Sequence, residues 1–205
     1  MTAHALPLAL HYFRIPRPAW ELLLVRLRQL GVQTVYTPLP WGFHEFADGK
    51  FDLTGQTTPR RDVVGFVETC TAMGLQVVLD LTPAPGADLL HGGLPGWLLH
   101  RHPEIQARNR QGDPLPAPTL EHPTFLKFVE RWYGQVGQAF DATPAPGAPV
   151  QAQLSAIAPT PNYSEHVARV QWPIWLRKRY AEGGVEALNA AYAPPTPFRS
   201  VADVP

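Results

Sequence analysis

The chain has 205 residues, 45% of them hydrophobic, which suffices for one domain with a substantial core. Lysine plus arginine and aspartate plus glutamate both number 17, so the formal net charge is zero, and no basic stretch is long enough to follow a phosphate backbone. No run of about 18 apolar residues is present either, so neither nucleic acid nor a membrane is an expected partner.

The N-terminus and the single cysteine are typical of a cytoplasmic protein. Residues 1–10 lack the basic start, long apolar run and small-residue cleavage site of a secretory signal. Cys70 lies in a helical pattern beside Val67 and Met73, which favours a small buried thiol over a reactive one. No cofactor is expected.

Strand and helix patterns alternate along the first part of the chain. Residues 6–13 form a short apolar run closed by prolines, which predicts a strand buried on both faces. Residues 19–30 carry apolar side chains at helical spacing and precede a glycine, which predicts a helix. Residues 32–39, rich in β-branched side chains, predict a second strand, and residues 61–73 predict its helix.

The alternation continues to the end of the chain. The remaining predicted elements are a strand over 75–81, a helix over 123–140, a strand over 149–157, a helix over 164–181 and a short helix over 186–192. Four βα units in one domain over residues 1–205 favour parallel strands with right-handed crossovers. This pattern suits a flavodoxin-like sheet as well as a barrel.

Three linked motifs near the start resemble the opening of the family 35 β-galactosidases: HYFRIP at 11–16, PWGFHE at 40–45 and GKFDLTG at 49–55. The stretch GGLPGWLL continues this likeness, while three further stretches resemble the related family 42 enzymes. In order, these four stretches are GGLPGWLL at 92–99, HPEI at 102–105, WLRKRY at 175–180 and EALN at 186–189. The resemblance implies an α/β fold, a partial TIM barrel of about the first four βα units of a (β/α)8 glycosidase barrel.

The resemblance also implies where the chemistry lies. Such barrels form their site at the carboxyl ends of the strands, and a retaining glycosidase needs two carboxyl groups roughly 5 Å apart. The acid/base of these families is the glutamate of an Asn-Glu pair at the end of the fourth strand, and these two positions are Ala156 and Ile157 here. Isoleucine cannot exchange a proton. The nucleophile belongs to a later strand, which would follow Pro205.

These departures lead us to expect a catalytically impaired, β-galactosidase-like domain, that is, a pseudoenzyme. Two weak candidates for a displaced acid are Glu165, in the predicted helix beyond Ile157, and Asp88, at a sugar-contacting glutamate position of the family. Asp80 lies close to Asp88 in sequence, but a structural role for Asp80 is favoured over a catalytic pair.

The candidate substrate-binding residues are Arg14, Trp41, His44, Glu45 and Asp88. Trp41 is suited to stacking on a sugar face, with His44 and Glu45 as a polar pair beside it. We favour the alternative, in which Trp41 packs the barrel mouth and His44 forms hydrogen bonds with the backbone of the loop.

Metal binding is not expected. His91, His100 and His102 lack the helical spacing or the cysteine partners that fix a zinc site, so exposed or capping positions are predicted for them.

Three functions stay open from the sequence. The first is an inert domain that retains weak binding of β-galactosides, and the second is an active β-galactosidase completed by another chain or a displaced carboxylate. The third is a non-catalytic carbohydrate-binding or assembly module. Four βα units leave the first and last strands unpaired and barrel-interior side chains uncovered, so a homodimer or a partner-bound half-barrel is expected.

Overall fold

The structure, a computed structural model, describes residues 7–83, 89–140, 150–155 and 161–204. Its strands are β1 (Leu8–Ala9), β2 (Thr34–Pro38), β3 (Glu45–Ala47), β4 (Lys50–Phe51), β5 (Gln76–Asp80), β6 (Gln106–Arg108), β7 (Pro114–Pro118) and β8 (Val150–Gln153). Its α-helices are α1 (Trp20–Gln29), α2 (Trp41–His44), α3 (Val63–Ala72), α4 (Gly96–Arg101), α5 (Pro123–Ala139), α6 (Trp172–Arg179) and α7 (Gly184–Tyr192).

A parallel sheet with the strand order β1-β2-β5-β8 organises the molecule. Its register pairs Pro38 with Asp80 and Asp80 with Gln153, so the carboxyl ends of three strands lie side by side. The pairing extends one residue further, because Leu39 N–H donates to the Asp80 carbonyl at 2.9 Å and Leu81 N–H donates to the Gln153 carbonyl at 2.8 Å. Spatial order follows chain order, as in the first half of a βα barrel.

The strands differ in burial according to their place in this sheet. The inner strand β5 reads Gln-Val-Val-Leu-Asp and is buried from its second residue onward, as expected for a parallel strand covered on both faces. By contrast, three of the four residues of β8 are exposed. Both β1 and β8 have one strand neighbour among the described residues, so they are the open edges of the sheet.

An aromatic cluster packs the amino-terminal segment onto α1 and α3. The Phe66 ring lies 5.1 Å from that of Tyr12 and 5.2 Å from that of Trp20, measured between centroids. Tyr12 and Trp20 belong to segments that flank Pro16 and Pro18, and all three rings are buried. The cluster therefore anchors the chain between β1 and α1 in the core.

Two of the long connections contain structure that the sequence patterns did not predict. The connection after β2 forms the short helix α2 and the hairpin β3-β4, and the connection after β5 forms α4 and the hairpin β6-β7. These strands have two to five residues, too few for a periodic signal. Both hairpins are insertions into the βα pattern and not strands of the main sheet.

Two predicted elements are interrupted in the structure. The predicted strand over 6–13 shortens to β1, because Tyr12–Arg14 forms a 3-10 turn that buries Tyr12 and Phe13. The predicted helix over 164–181 contains a π-helical turn at Val167–Gln171 before α6. Pro173 has no N–H to donate to the carbonyl one helical turn before it, which accounts for the irregular entry into α6.

The helices in the described part of the chain include none that is both long and apolar enough to cross a membrane.

Replacing Asp62 with alanine tests how much the cap of α3 contributes to stability. The Asp62 carboxylate caps α3 by accepting the Gly65 N–H at 2.9 Å, and it also pairs with Arg17 at 2.8 Å. We expect Asp62→Ala to lower the free energy of unfolding by about 1 kcal/mol, the usual worth of such a cap. Urea denaturation measures the change. Glu68→Ala, on the exposed side of the same helix, is the control, and equal losses in both variants would contradict the assignment.

Candidate functional site

The carboxyl ends of three sheet strands meet at one buried carboxylate, that of Asp80, the last residue of β5. One of its oxygens accepts hydrogen bonds from the Tyr36 and Ser155 hydroxyls. The other oxygen accepts the Thr82 N–H at 2.9 Å and the Thr82 hydroxyl. Because Tyr36 lies in β2 and Ser155 follows β8, this cluster, here termed the Asp80 hub, joins three strands.

Hydrogen bonding keeps Asp80 ionised in spite of its burial. Burial raises the pKa of this carboxyl, but the donors Ser155, Thr82 and Tyr36 outweigh it and hold the pKa below its ordinary value. Burial and the bond to Asp80 raise the pKa of Tyr36, so the phenol stays a donor. An ionised carboxylate with both oxygens engaged fits the structural role predicted for Asp80.

Glu45 is a second buried carboxylate, in the connection after β2. It accepts the Trp41 indole N–H at 2.6 Å and the Gly49 N–H at 2.8 Å, and it forms an ion pair with Arg131. Arg131 also contacts Asp48 at 2.9 Å, so one guanidinium from α5 holds two carboxylates of this connection. The Glu45 side chain has no exposed surface.

His44 is also fully buried and acts within the same connection. Its Nδ1–H donates to the Asp52 carbonyl at 2.6 Å, since a carbonyl only accepts, and its Nε2 accepts the Tyr12 hydroxyl. Burial lowers the pKa of His44 to about 4, so the ring is neutral at neutral pH. His44 therefore satisfies loop backbone, as the favoured interpretation of the sequence had it.

Trp41 lies in the interior, with its indole enclosed by protein. Its ring stacks on Trp132 with centroids 6.1 Å apart and planes 11° apart, and Phe125 lies 6.2 Å away. Trp41 has no exposed surface. A sugar cannot stack on this ring without a rearrangement of the residues around it, so the contacts in the structure are those of the packing alternative.

Two of the remaining candidate residues, Arg14 and Glu165, are exposed on the surface. Arg14 is exposed, with its guanidinium 6.0 Å from the centroid of the Phe13 ring. Glu165 is exposed and pairs with Arg169 at 3.2 Å. Asp88 and Ile157 lie outside the described residues.

The three histidines considered for metal binding do not form a ligand set. The His102 Nδ1 contacts the Glu104 carboxylate at 3.0 Å, while His91 adopts a positive φ of 54° and His100 is exposed. Over the ranges that the structure describes, no group of three or more histidine, cysteine, aspartate or glutamate side chains is arranged to hold a metal ion.

A pocket of about 470 Å³ lies beside Glu165. Its walls come from the Pro103–Ile105 turn, β6, the start of α5 and the segment after β8; the lining residues are Pro103, Glu104, Gln106, Arg108, His122, Ser164, Glu165, His166, Arg169 and Val170. Glu165 is therefore next to an open volume, whereas Asp80 and Glu45 are enclosed by protein.

The hydrogen-bond partners within these clusters were not predicted from the sequence. Tyr36, Ser155 and Arg131 bond to partners 44, 75 and 86 residues away in sequence, and periodicity carries no signal for such distances. The rule that barrel sites form at strand ends points to Ser155. No comparable signal identifies Arg131, on α5.

The Asp80 hub makes a quantitative prediction. In Asp80→Asn, an amide NH2 group replaces one carboxylate oxygen. This group cannot accept the hydrogen bonds that the oxygen receives, so we expect a loss of about 2 kcal/mol in the free energy of unfolding at neutral pH. A carboxyl group with a lowered pKa stabilises above its ordinary pKa of about 3.9 and loses that contribution as the pH falls further. The difference from the unmodified protein should therefore shrink in acid.

Urea unfolding at about pH 7 and about pH 3 measures both effects. Glu121→Gln, the same chemical change at an exposed position, is the control and should alter stability little. A difference for Asp80→Asn that stays constant with pH would contradict an ionised hub.

Comparisons with known proteins agree with this architecture. The model of the family described as Glycosyl hydrolases family 35 matches residues 5–145. Among solved structures, a β-galactosidase from the psychrophilic Marinomonas ef1 superposes with a TM-score of 0.71 at 19% identity, over 97% of this chain and 29% of that one. The catalytic domain of a β-amylase from Paenibacillus polymyxa superposes with a TM-score of 0.63 at 18% identity, over 97% of this chain and 51% of that one. These likenesses show the fold, a partial TIM barrel.

Curated relatives include an exo-β-D-glucosaminidase of Pyrococcus horikoshii, 32% identical in an alignment 195 residues long that covers 86% of this chain and 25% of that protein. The exo-β-D-glucosaminidase of Thermococcus kodakarensis is 39% identical over 62% of this chain and 17% of its own length. The β-galactosidase of Mus musculus is 33% identical over 60% of this chain and 17% of its own length. The chain thus spans a quarter or less of the length of these relatives. The match of the family model to most of this chain shows that it belongs to glycosyl hydrolase family 35.

Proposed function

We propose that the chain forms a single half-barrel domain over residues 1–205 that binds β-glycosides and has impaired hydrolytic activity of its own. The observation that carries the proposal is the state of the buried carboxylates. Asp80 receives four hydrogen bonds, and Glu45 is held by Trp41, Gly49 and Arg131. A general acid needs a proton to give and access to the leaving oxygen, and neither group has both.

The residue at the family's acid/base position supports the same proposal. Ile157 stands where the resemblance places a glutamate, and an isoleucine side chain cannot protonate a leaving group. Ser155, two residues earlier, donates to Asp80 and ties the end of β8 to the rim of the sheet. Under this proposal, the strand that precedes the position is retained and the acid is lost.

The relatives suggest which sugars to test. Their names cover β-galactosides and β-D-glucosaminides, so both classes are candidate ligands here. The two sugars differ in the configuration at carbon 4 and in the substituent at carbon 2, where a glucosaminide carries an ammonium group that carboxylates recognise. Asp88, proposed from the sequence as a sugar contact, is the carboxylate to vary for this purpose.

An active enzyme with a displaced acid is the second candidate. The observation in its favour is that Glu165 lines the pocket of about 470 Å³, so a ligand there would reach its carboxylate. Against it stands the position of Glu165, whose side chain is exposed and whose carboxylate contacts Arg169 at 3.2 Å.

Aryl glycosides with different leaving groups separate these candidates. A dinitrophenolate departs without a proton, whereas a sugar alcohol needs a general acid. We expect the purified chain to hydrolyse none of the three substrate types, namely dinitrophenyl β-galactoside, dinitrophenyl β-glucosaminide and the matching disaccharides. We expect it to bind the free sugars with Kd in the millimolar range. Asp88→Asn should weaken this binding several-fold.

Hydrolysis of the dinitrophenyl glycosides alone would mean that only the acid is missing. Turnover of disaccharides, abolished by Glu165→Gln and kept by the exposed control Glu121→Gln, would establish the displaced acid and overturn the proposal.

We further propose that the open edges of the sheet are covered by a second copy of the chain. Apolar side chains are exposed on β1 and α1, namely Leu8, Leu22 and Val25, and on the segments that follow β8 in the chain, namely Leu154, Val170, Ile174 and Trp175. Pairing of β1 with the partner's β8 around a two-fold axis would bring the two sets together and leave no sheet edge.

Light scattering at micromolar concentration tests this pairing. We expect a mass of two chains, and Ile174→Glu should weaken association at least tenfold because it places a charge among the apolar side chains. Leu126→Glu, at an equally exposed position on α5, should leave the mass unchanged. A monodisperse monomer of the unmodified chain would rule out the homodimer.

A further inference from the structure

Two half-buried histidines meet where the segment after β8 packs on the start of α5. The rings of His122 and His166 have centroids 4.7 Å apart and planes tilted by 59°. His122 immediately precedes α5, and His166 lies in residues 162–171, here termed the latch segment. The pair forms part of the wall of the pocket beside Glu165.

Polar contacts hold the beginning of the latch segment in place. The Asn162 side chain accepts the Arg108 N–H at 3.1 Å and donates to the Thr119 hydroxyl at 2.9 Å. The Ser164 and Thr119 hydroxyls lie 3.2 Å apart, and Tyr163 N–H donates to the Arg108 carbonyl at 2.8 Å. None of these contacts depends on a group that titrates near neutral pH. The contact surface continues with the rings of His122 and His166, of which His122 also caps α5.

The contact that His122 makes with α5 requires a neutral ring. Its Nδ1 accepts the Thr124 N–H at 3.2 Å and so caps the 17-residue helix. Protonation places a hydrogen on Nδ1. This hydrogen then faces the Thr124 N–H, so the capping hydrogen bond is lost. Protonation also adds a positive charge at the helix end that favours negative charge. The charged His122 ring then lies against the His166 ring, with 4.7 Å between the two centroids.

The charged groups around the pair do not cancel this effect. Glu104 faces His122 from the Pro103–Ile105 turn, but its carboxylate contacts His102 at 3.0 Å. On the latch segment, Glu165 and Arg169 form their own pair at 3.2 Å, and Arg108 adds a positive charge from β6.

The titration of the cap residue points the same way. Burial and the neighbouring His166 lower the pKa of His122, while Glu104 opposes them without reversing the direction. The packed arrangement therefore binds a proton less readily than a free histidine. Its stability is fully present above the ordinary histidine pKa of about 6.5 and is lost as the pH falls below that value.

We propose that the His122–His166 pair is an acid-released latch. At neutral pH it keeps the latch segment on the N-terminus of α5 and the adjacent pocket closed on that side. In acid, protonation of His122 breaks the cap and places a positive charge against the His166 ring, and the segment moves away from α5. The pocket of about 470 Å³ then widens along the wall formed by His166, Arg169 and Val170.

Hydrogen–deuterium exchange of the whole chain tests the latch. We expect the protection factor of the peptide covering 162–171, corrected for intrinsic exchange, to fall roughly tenfold between about pH 7.5 and about pH 5. In His122→Asn, which supplies a good cap that does not titrate, and in His166→Gln, the decrease should be less than about twofold. The exposed His100→Gln should behave as the unmodified chain.

Peptides from β5 provide the internal reference for global unfolding, since the buried His44 also loses its stabilising effect in acid. A decrease of the same size in β5 and in the latch segment would assign the effect to global unfolding and overturn the latch. Unchanged protection of the segment in the unmodified chain, or an undiminished decrease in His122→Asn, would overturn it as well.

Discussion

The carboxylate of Asp80 is the contact on which the rim of the half-barrel depends. Backbone pairing fixes the register of β2, β5 and β8, and it places the buried carboxylate of Asp80 where these three strands end. Burying an unpaired carboxylate there would cost several kcal/mol, and donors from three strands remove that cost. The same bonds occupy both oxygens, so the group that organises the rim is withdrawn from acid–base chemistry.

Arg131 plays a comparable part on the neighbouring connection. Its guanidinium reaches Glu45 and Asp48 and lies 5.7 Å from the centroid of the Phe51 ring in β4, so α5 is joined to the hairpin after β2 by charge and by stacking. Removing one member of such a buried pair leaves the other charge unsatisfied. The connection that carries the motif PWGFHE is therefore attached to α5, and Trp41, His44 and Glu45 in this motif serve packing and hydrogen bonding.

The elements with long periodic patterns were predictable from the sequence. The helix expected over 19–30 is Trp20–Gln29, and the one expected over 123–140 is Pro123–Ala139. Apolar spacing and helix-ending residues suffice in such cases. The two hairpins were not predictable, because strands of two to five residues between prolines and glycines have no period to detect. The partners of Asp80 and Glu45 come from segments that are distant in sequence. They can be identified only when the three-dimensional fold is known.

The prolines of β7 have a consequence for solubility. Pro114, Pro116 and Pro118 alternate along the strand, whereas the next residue, Thr119, donates its N–H toward β6 at 2.6 Å. By this alternation the positions without an N–H all face away from β6. The outer edge of the hairpin thus offers carbonyls without matching donors, and another strand cannot extend it by regular pairing. A half-barrel with two open edges in its main sheet carries one hairpin whose free edge is protected against aggregation by its sequence.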